Sequence, residues 1–411
     1  MSTSAEADRH VVIVGAGEAG ARVAHELHTG GWTGPITLLG EEDRPVYERP
    51  PLSKAVLVDD APAPVEPYRD GRLEWEGLTV RTGVVVDSID RAGHAVRLTD
   101  GEDITYDRLV IATGARSRHL PGLSDGVLTL RTWDEALRLR SALEAGGSLL
   151  VIGAGLIGLE VAASARTRGL DVTVVEMGPR ALGRAVPEPA AEVLVQRHLA
   201  EGVSLRLGTT VQALEQREGG WLAHLSDGTE VVADAVVVAV GSVPETALAE
   251  DAGLPVEDGI VVDEQMRTSD EHVWAVGDCC AGPVDVLGRR TRLESWRMAH
   301  DQAVTAAAAI RGEDVRHAAV PWFWSDQYDL SLQVAGAEAA ASTWVQRPQA
   351  DGSTVHIGLD TDGRVVCAAG AGGPRIAKDV RMSERLIGQG TVVDRTRLAD
   401  PDTTLKSLLR P

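Results

Sequence analysis

The sequence predicts an α/β fold with two Rossmann-like dinucleotide-binding domains and a C-terminal α+β domain. Three observations predict it. The pattern G-x-G-x-x-G occurs twice, each time behind an apolar strand and ahead of an Ala-rich helical run. Each copy is followed by an acid at the end of the next apolar segment. Beyond Val315 the pattern changes to short, regularly spaced segments that read as antiparallel strands.

The first copy lies in "HVVIVGAGEAGARVAHEL", with Gly15, Gly17 and Gly20 enclosing Ala16, Glu18 and Ala19. The second begins at Leu149 in "LLVIGAGLIGLEVAASA", with Gly153, Gly155 and Gly158 enclosing Leu156 and Ile157. The first glycine of such a loop permits a tight turn, the second lets backbone approach a pyrophosphate, and the third lets helix pack on strand. The helix N-terminus then offers free N–H groups to the phosphate charge. Glu41 closes "PITLLGE" and Glu176 closes "DVTVVE". A carboxylate there accepts hydrogen bonds from ribose hydroxyls and repels a 2′-phosphate. Glu176 therefore favours NADH over NADPH, whereas Arg180 and Arg184 nearby would suit a 2′-phosphate. Two such sites imply two dinucleotides, and the natural pair is FAD as a bound electron store and NADH as a diffusible hydride donor.

Further segments separate the two sites. "YDRLVIATGARSR" (Tyr106–Arg118) and "ADAVVVAVGSVPET" (Ala233–Thr246) each read as strand, small-residue turn and exit. They assign Ala112, Thr113 and Gly114 to the FAD side and Gly241 to the NADH side. "VWAVGDCCAG" (Val273–Gly282) places Gly277 and Asp278 after a short apolar strand, matching a second flavin motif whose Asp bonds a ribityl hydroxyl. The expected organisation is a discontinuous FAD-binding domain (1–115 and 244–316), an inserted NADH-binding domain (116–243) and a C-terminal interface domain (317–411).

Composition narrows the function. At 411 residues the chain has room for about three domains. The net charge of −21 argues against nucleic acid or an anionic membrane as partner. No run of 18 apolar residues exists, and "MSTSAEADRH" lacks a basic-then-apolar signal, so a cytoplasmic protein is expected. The cysteines are Cys279, Cys280 and Cys367, which excludes a disulfide framework. None precedes Cys279, so the thiol chemistry of disulfide reductases has no residue to use near the first loop. No metal site is expected.

With these motifs assembled, the chain resembles the NADH-dependent ferredoxin reductases that serve bacterial cytochrome P450s and aromatic-ring dioxygenases. The resemblance covers nearly the whole length. It rests on "VGAGEAG", "YERPPLSK", "LVIATGARSR", "LRTWDEA", "VIGAGLIGLE", "AVGDCC", "WFWSDQYDLSLQVAG" and "VDRTRLADPDTTLKSLL". It implies a glutathione-reductase-like arrangement, in which NADH gives hydride to FAD and electrons pass singly to a [2Fe–2S] ferredoxin. It places Lys54 of "RPPLSK" beside the reactive N5 edge of the flavin ring, with Glu160 as its partner carboxylate. A fixed cation there stabilises the charge that builds on the reduced ring. Pro50 and Pro51 stiffen the arm and bias the residues ahead of them towards extended shapes. The resemblance also implies FAD contacts for Arg49, Val86, Arg131 and Trp296, and a near-flavin position for Trp324. Relatives often carry Asn two residues after Trp296, where this chain has Met298.

Docking of an acidic ferredoxin on so acidic a chain needs a local basic patch. "GRRTR", "ARSRH" and "RIAKDVR" are the candidates. The alternatives within reach of the same sequence are an NADH-dependent rubredoxin or quinone reductase, and an FAD-binding interaction protein with slow NADH oxidase activity. Monomer and homodimer are equally compatible.

Overall fold

The computed structural model describes residues 9–68, 73–120, 122 and 126–409. The chain divides into two compact units. The first comprises the described residues of Met1–Glu48, Pro64–Arg116 and Val243–Pro321, and the second those of Arg49–Ala63, Ser117–Ser242 and Trp322–Pro411.

The first unit is built on a parallel sheet in the order Val273–Ala275, Arg108–Ile111, Val11–Val14, Ile36–Leu39, Leu78–Arg81. Its central strand, Val11–Val14, is an unbroken apolar run, as expected of a strand covered on both faces. Val11, Val12, Ile13, Leu109, Val110 and Ile111 are fully buried. The helix Glu18–Thr29 buries Ala21, Val23, Ala24 and Leu27 on one side. It packs against the later helix Trp296–Ile310, whose Ala-rich face allows close approach. An antiparallel set, Val86–Asp90, Ala95–Leu98 and Asp103–Thr105, adds a smaller layer.

The second unit repeats the device. Ser204–Leu207, Asp171–Glu176, Ser148–Ile152 and Ala235–Val238 form a parallel sheet in that order. The helix Leu156–Thr167 follows the second glycine loop, and Glu160 is among its buried residues. The C-terminal part is an antiparallel sheet in the order Trp322–Gln327, Leu330–Gly336, Val365–Gly372, Thr354–Leu359, Thr343–Pro348. The helix Pro374–Gly388 packs on it. The short strands and the helix expected beyond Val315 are therefore present.

Two features of this unit depend on long-range contacts. The turn joining Trp322–Gln327 to Leu330–Gly336 holds Tyr328 at φ 56°. A side-chain-bearing residue in that left-handed region costs ~1–2 kcal/mol. Arg197 holds it there, its guanidinium lying 4.9 Å from the centre of the Tyr328 ring. The second feature is Arg347, buried on the inward side of the edge strand Thr343–Pro348. It donates to the carbonyls of Leu398 (2.9 Å), Asp400 (2.6 Å), Pro401 (3.3 Å) and Thr403 (2.7 Å), and to the Asp379 carboxylate (3.3 Å). Arg347→Ala leaves several acceptors without their donor, each worth about 1–3 kcal/mol when buried. The expected result is a melting temperature lower by several degrees and early proteolysis near 398–403. Unchanged melting would remove the clasp from the stability of the fold.

Candidate functional site

The glycine loops separate what the fold needs from what a ligand needs. A Cβ on Gly15 would lie 2.1 Å from the Ala112 carbonyl oxygen, and one on Gly20 would lie 1.9 Å from the Gly15 carbonyl oxygen. Packing alone requires glycine at both. A Cβ on Gly17 would meet nothing within 4 Å. The second loop repeats this pattern. A Cβ on Gly153 would lie 2.5 Å from the Ala239 carbonyl oxygen and one on Gly158 2.1 Å from the Gly153 carbonyl oxygen, whereas a Cβ on Gly155 meets nothing within 4 Å. In each loop the middle glycine keeps clear a space that no protein atom fills. Each helix starts at that glycine with no side-chain cap on its first N–H groups. This donor set fits a pyrophosphate.

In the first unit the late Gly–Asp segment comes to the first loop. A Cβ on Gly277 (φ 82°) would lie 3.0 Å from the Ala19 Cβ, and the Gly277 N–H donates to Gln302 Oε1 at 2.7 Å. Thr113 Oγ1 donates to the Glu245 carbonyl at 2.6 Å, fixing the Ala112–Thr113–Gly114 turn. Trp296 opens its helix behind the Ser295 cap, whose Oγ accepts from the Met298 N–H at 3.1 Å. Glu41 is exposed beyond the strand end, open to a ribose. Val86 is half-buried in its strand. Glu18, in the first helical turn, lies 3.5 Å from both Arg22 Nε and His300 Nδ1.

In the second unit Glu176 Oε2 accepts from the Ala154 N–H at 2.8 Å and Oε1 from the Gly178 N–H at 2.7 Å. The carboxylate is thereby set at the strand end beside the loop. Arg180 is committed to the carbonyls of Val186 (2.9 Å) and Gly183 (3.2 Å) and to Glu338 at 3.7 Å. Arg184 approaches Gly241, whose Cβ would lie 3.9 Å from Arg184 Nη1. Ile157 is 45% exposed on the first turn after Gly155, unusual for so large an apolar side chain.

The lysine arm also belongs to the second unit. Pro50–Ser53 form one turn of 3₁₀-helix, and Ala55–Val58 follow as a short α-helix. The expectation of extended backbone ahead of the prolines is corrected at Arg49, which is helical at φ −80° and ψ −28°. Its carbonyl accepts from the Leu52 N–H at 3.0 Å, and its Nη1 donates to the Arg131 carbonyl at 2.6 Å. Tertiary anchoring therefore outweighs the local bias of the following proline. The Arg131 N–H in turn donates to Glu135 Oε2 at 2.6 Å, next to the Thr132–Glu135 capping box. Arg140 donates to the Val56 carbonyl at 2.9 Å, and Arg168 bonds the Leu57 carbonyl. These arginines satisfy carbonyls that so short a helix cannot.

Lys54 Nζ lies 2.8 Å from Glu160 Oε2 and 3.2 Å from the Pro50 carbonyl oxygen. Glu160 is 5% exposed. Ser53 Oγ donates to the same Oε2, and Ser325 Oγ donates to Oε1 at 2.5 Å. The Ser164 hydroxyl holds the Ser53 carbonyl at 2.8 Å. A buried carboxylate with an ammonium and two hydroxyls pointed at it keeps the ammonium in one place. Sequence reasoning missed Ser53 and Ser325. The period of two in "WFWSDQ" places Ser325 and Gln327 on the face opposite Trp322 and Trp324, and two buried polar residues on one face were the available signal. Trp322 and Trp324 stack at 5.3 Å, with Arg381 5.9 Å from the Trp322 ring.

All three cysteines are fully buried. Burial pushes each thiol up, Cys280 well above its ordinary value and Cys367 to about 12. Protonated, enclosed thiols are poor nucleophiles. Brief treatment of the native protein with iodoacetamide should leave NADH-driven flavin reduction unchanged. Loss of activity in step with labelling would give the thiols a role.

Two cleared phosphate loops, each with an acid at the neighbouring strand end, and a carboxylate-held lysine define a two-dinucleotide oxidoreductase. The chain belongs to the pyridine nucleotide-disulphide oxidoreductase family, whose model matches residues 9–303, and the reductase C-terminal model matches 322–409. It is 41% identical over 406 residues to rhodocoxin reductase of Rhodococcus erythropolis, covering 96% of this chain and 93% of that one. It is 40% identical over 403 residues to the ferredoxin–NAD(+) reductase component of the anthranilate 1,2-dioxygenase system of Burkholderia cepacia, covering 97% and 98%. Among solved structures it resembles the reductase of the covalent putidaredoxin reductase–putidaredoxin complex, with a TM-score of 0.91, 35% identity and 98% of each chain covered.

Proposed function

We propose that the chain is an FAD-dependent ferredoxin reductase that moves electrons from NADH to a [2Fe–2S] ferredoxin feeding a P450 or Rieske-type oxygenase. The observation that carries this reading is the Lys54–Glu160 pair at 2.8 Å in a chain whose thiols are all enclosed. Bound FAD supplies the conversion of one hydride into two single electrons. Overall, one NADH and two oxidised ferredoxins give NAD⁺, one proton and two reduced ferredoxins. The relatives named above supply the electron acceptor, because their names are those of redoxin and dioxygenase-system reductases.

The chain's own residues divide the work. Gly15, Ala16, Gly17, Glu18, Ala19 and Gly20 form the FAD pyrophosphate loop, with Glu41 for the ribose and Asp278 for a ribityl hydroxyl. Ala112, Thr113, Gly114 and Gly277 line the same side, and Arg49, Val86, Arg131, Trp296 and Trp324 complete the FAD set. Gly153, Gly155, Leu156, Ile157 and Gly158 bind the NADH pyrophosphate, Glu176 its ribose, and Arg184 and Gly241 its flank. The commitment of Arg180 to backbone carbonyls and Glu338 supports NADH over NADPH. Lys54 stabilises charge on the ring that receives hydride, and Glu160 holds that ammonium.

Residues 1–115 with 244–316 form the FAD domain, 116–243 the NADH domain and 317–411 the interface domain of this reading. Among the described residues no helix is long and apolar enough to cross a membrane. The site of action of this reading is the cytoplasm. The test is cytochrome c reduction driven by NADH. Stimulation on adding a [2Fe–2S] ferredoxin is expected, and no stimulation by any of several such ferredoxins would refute the assignment.

A further inference from the structure

The carboxylate of Glu160 is the end of a longer chain of contacts, all within the second unit. Ser325 Oγ donates to Glu160 Oε1 at 2.5 Å, and Gln327 Nε2 donates to Ser325 Oγ at 3.0 Å. Gln327 Oε1 faces His198 Nε2 at 2.8 Å, and His198 Nδ1 faces the Tyr328 hydroxyl at 3.2 Å. Ser325, Gln327 and His198 are each 0–1% exposed. Three polar side chains so buried, contributed by a strand and by the helix Glu188–Ala200, serve one another and one carboxylate.

The chemistry of each group fixes the direction of the chain. An amide oxygen only accepts, so His198 must carry its hydrogen on Nε2. Neutral His198 then has an acceptor at Nδ1, which takes the Tyr328 O–H. The Gln327 amide hydrogen occupies a lone pair of Ser325 Oγ, leaving that hydroxyl hydrogen free to point at Glu160. Every hydrogen thus points towards the carboxylate, and each bond polarises the next. Burial lowers the His198 pKa and raises that of Tyr328 to about 12, consistent with a neutral ring and an intact phenol. The charged groups facing this end are Arg197 and Glu201 from the histidine's own helix, Asp329 from the turn and Arg166 near the phenol. The Arg197 guanidinium, 4.9 Å from the centre of the Tyr328 ring, packs on the outer end of the chain.

We propose that Ser325, Gln327 and His198 are positioning residues for hydride transfer, a one-way line of donors that sets the Glu160 carboxylate against Lys54. This rests on the reading of Lys54 and Glu160 as the reaction site. The line acts only through the Ser325 hydroxyl, so removing that hydroxyl silences everything behind it.

The test is anaerobic stopped-flow reduction of the FAD-loaded enzyme by NADH. Ser325→Ala should lower the limiting reduction rate about tenfold, the effect of one hydrogen bond to a charged group. Its FAD content stays that of wild type and its apparent NADH dissociation constant stays within about twofold, because positioning of this kind acts on the step and not on binding. Ser325→Thr, which keeps the hydroxyl, should restore the rate. Gln327→Leu should slow reduction by itself yet add nothing in the Ser325→Ala background. Additive effects, or a Ser325→Ala rate equal to wild type, overturn the proposal.

A second measurement needs no variant. In ¹⁵N-histidine-labelled wild-type holoprotein, His198 should be the neutral Nε2–H tautomer. The Nδ1–H tautomer, or an imidazolium at neutral pH, overturns the donor line. Wild-type reduction by Lys54→Met instead overturns the site reading, an outcome separable from both because it leaves the tautomer result standing.

Discussion

Lys54→Met should lower the limiting rate of flavin reduction by NADH about 100-fold while FAD stays bound. Removing one fixed group aimed at developing charge in an enclosed site typically costs ~10²–10³ in rate. Methionine keeps an unbranched apolar side chain and removes the ammonium that contacts Glu160 and the Pro50 carbonyl. The Glu160 carboxylate then retains the Ser53 and Ser325 hydroxyls, so the fold loses one of three donors at that group. Glu160→Leu is the harsher change. It leaves the Lys54 ammonium and both hydroxyls without their shared acceptor, and breaking a buried pair in that way costs ~3–5 kcal/mol. Stopped-flow traces separate the two effects from melting curves. Lys54→Met should be slow but stable, whereas Glu160→Leu should be slow and also melt earlier. Traces for Lys54→Met that match wild type would remove the lysine from the mechanism.

Gly155→Val and Gly158→Val should have opposite failures three residues apart. The Gly158 Cβ would stand 2.1 Å from the Gly153 carbonyl oxygen, so valine cannot be accommodated without parting helix from strand, and the variant should fail to fold. The Gly155 Cβ meets nothing within 4 Å, and its backbone is extended at φ −78°, a conformation any residue adopts. Gly155→Val should therefore melt as wild type yet lose NADH affinity. Blocking the approach of a phosphate to two N–H donors forfeits about 1.5–3 kcal/mol for each charge-assisted bond. That converts to a loss of roughly 10²-fold or more in affinity. Titration of the oxidised holoprotein with NAD⁺, beside thermal melts, reads both quantities. Normal nucleotide affinity in Gly155→Val would place the dinucleotide elsewhere.

Much of this architecture is legible in the sequence. The glycine loops, the acids that follow them and the Gly277–Asp278 segment are local patterns, and each turn is specified by residues within a few positions. The run beyond Val315 was legible as antiparallel strands because alternation is itself local. The bias that Pro50 imposes on Arg49 is a local preference that tertiary contacts override. The Leu52 amide and the Arg131 carbonyl, 82 residues away, hold Arg49 helical. Ser53 and Ser325 escape local reading for a related reason. Alternation sets Ser325 beside Gln327 on one face, but nothing near either serine marks it as a partner of Glu160.

The amino-acid sequence by itself determined that the chain carries two dinucleotide folds, that each has a phosphate loop with its acid, and that no cysteine precedes Cys279. These follow from short spacings and from which residue types are absent. Only the tertiary structure decided that Glu160 gathers Ser53 from 107 residues away and Ser325 from 165, with Gln327 and His198 behind them. It also decided that Arg347 clasps the tail and that the middle glycines face open space. The reason is physical: backbone propensity acts over a turn or a strand, whereas a buried polar group must find its partner wherever packing brings one.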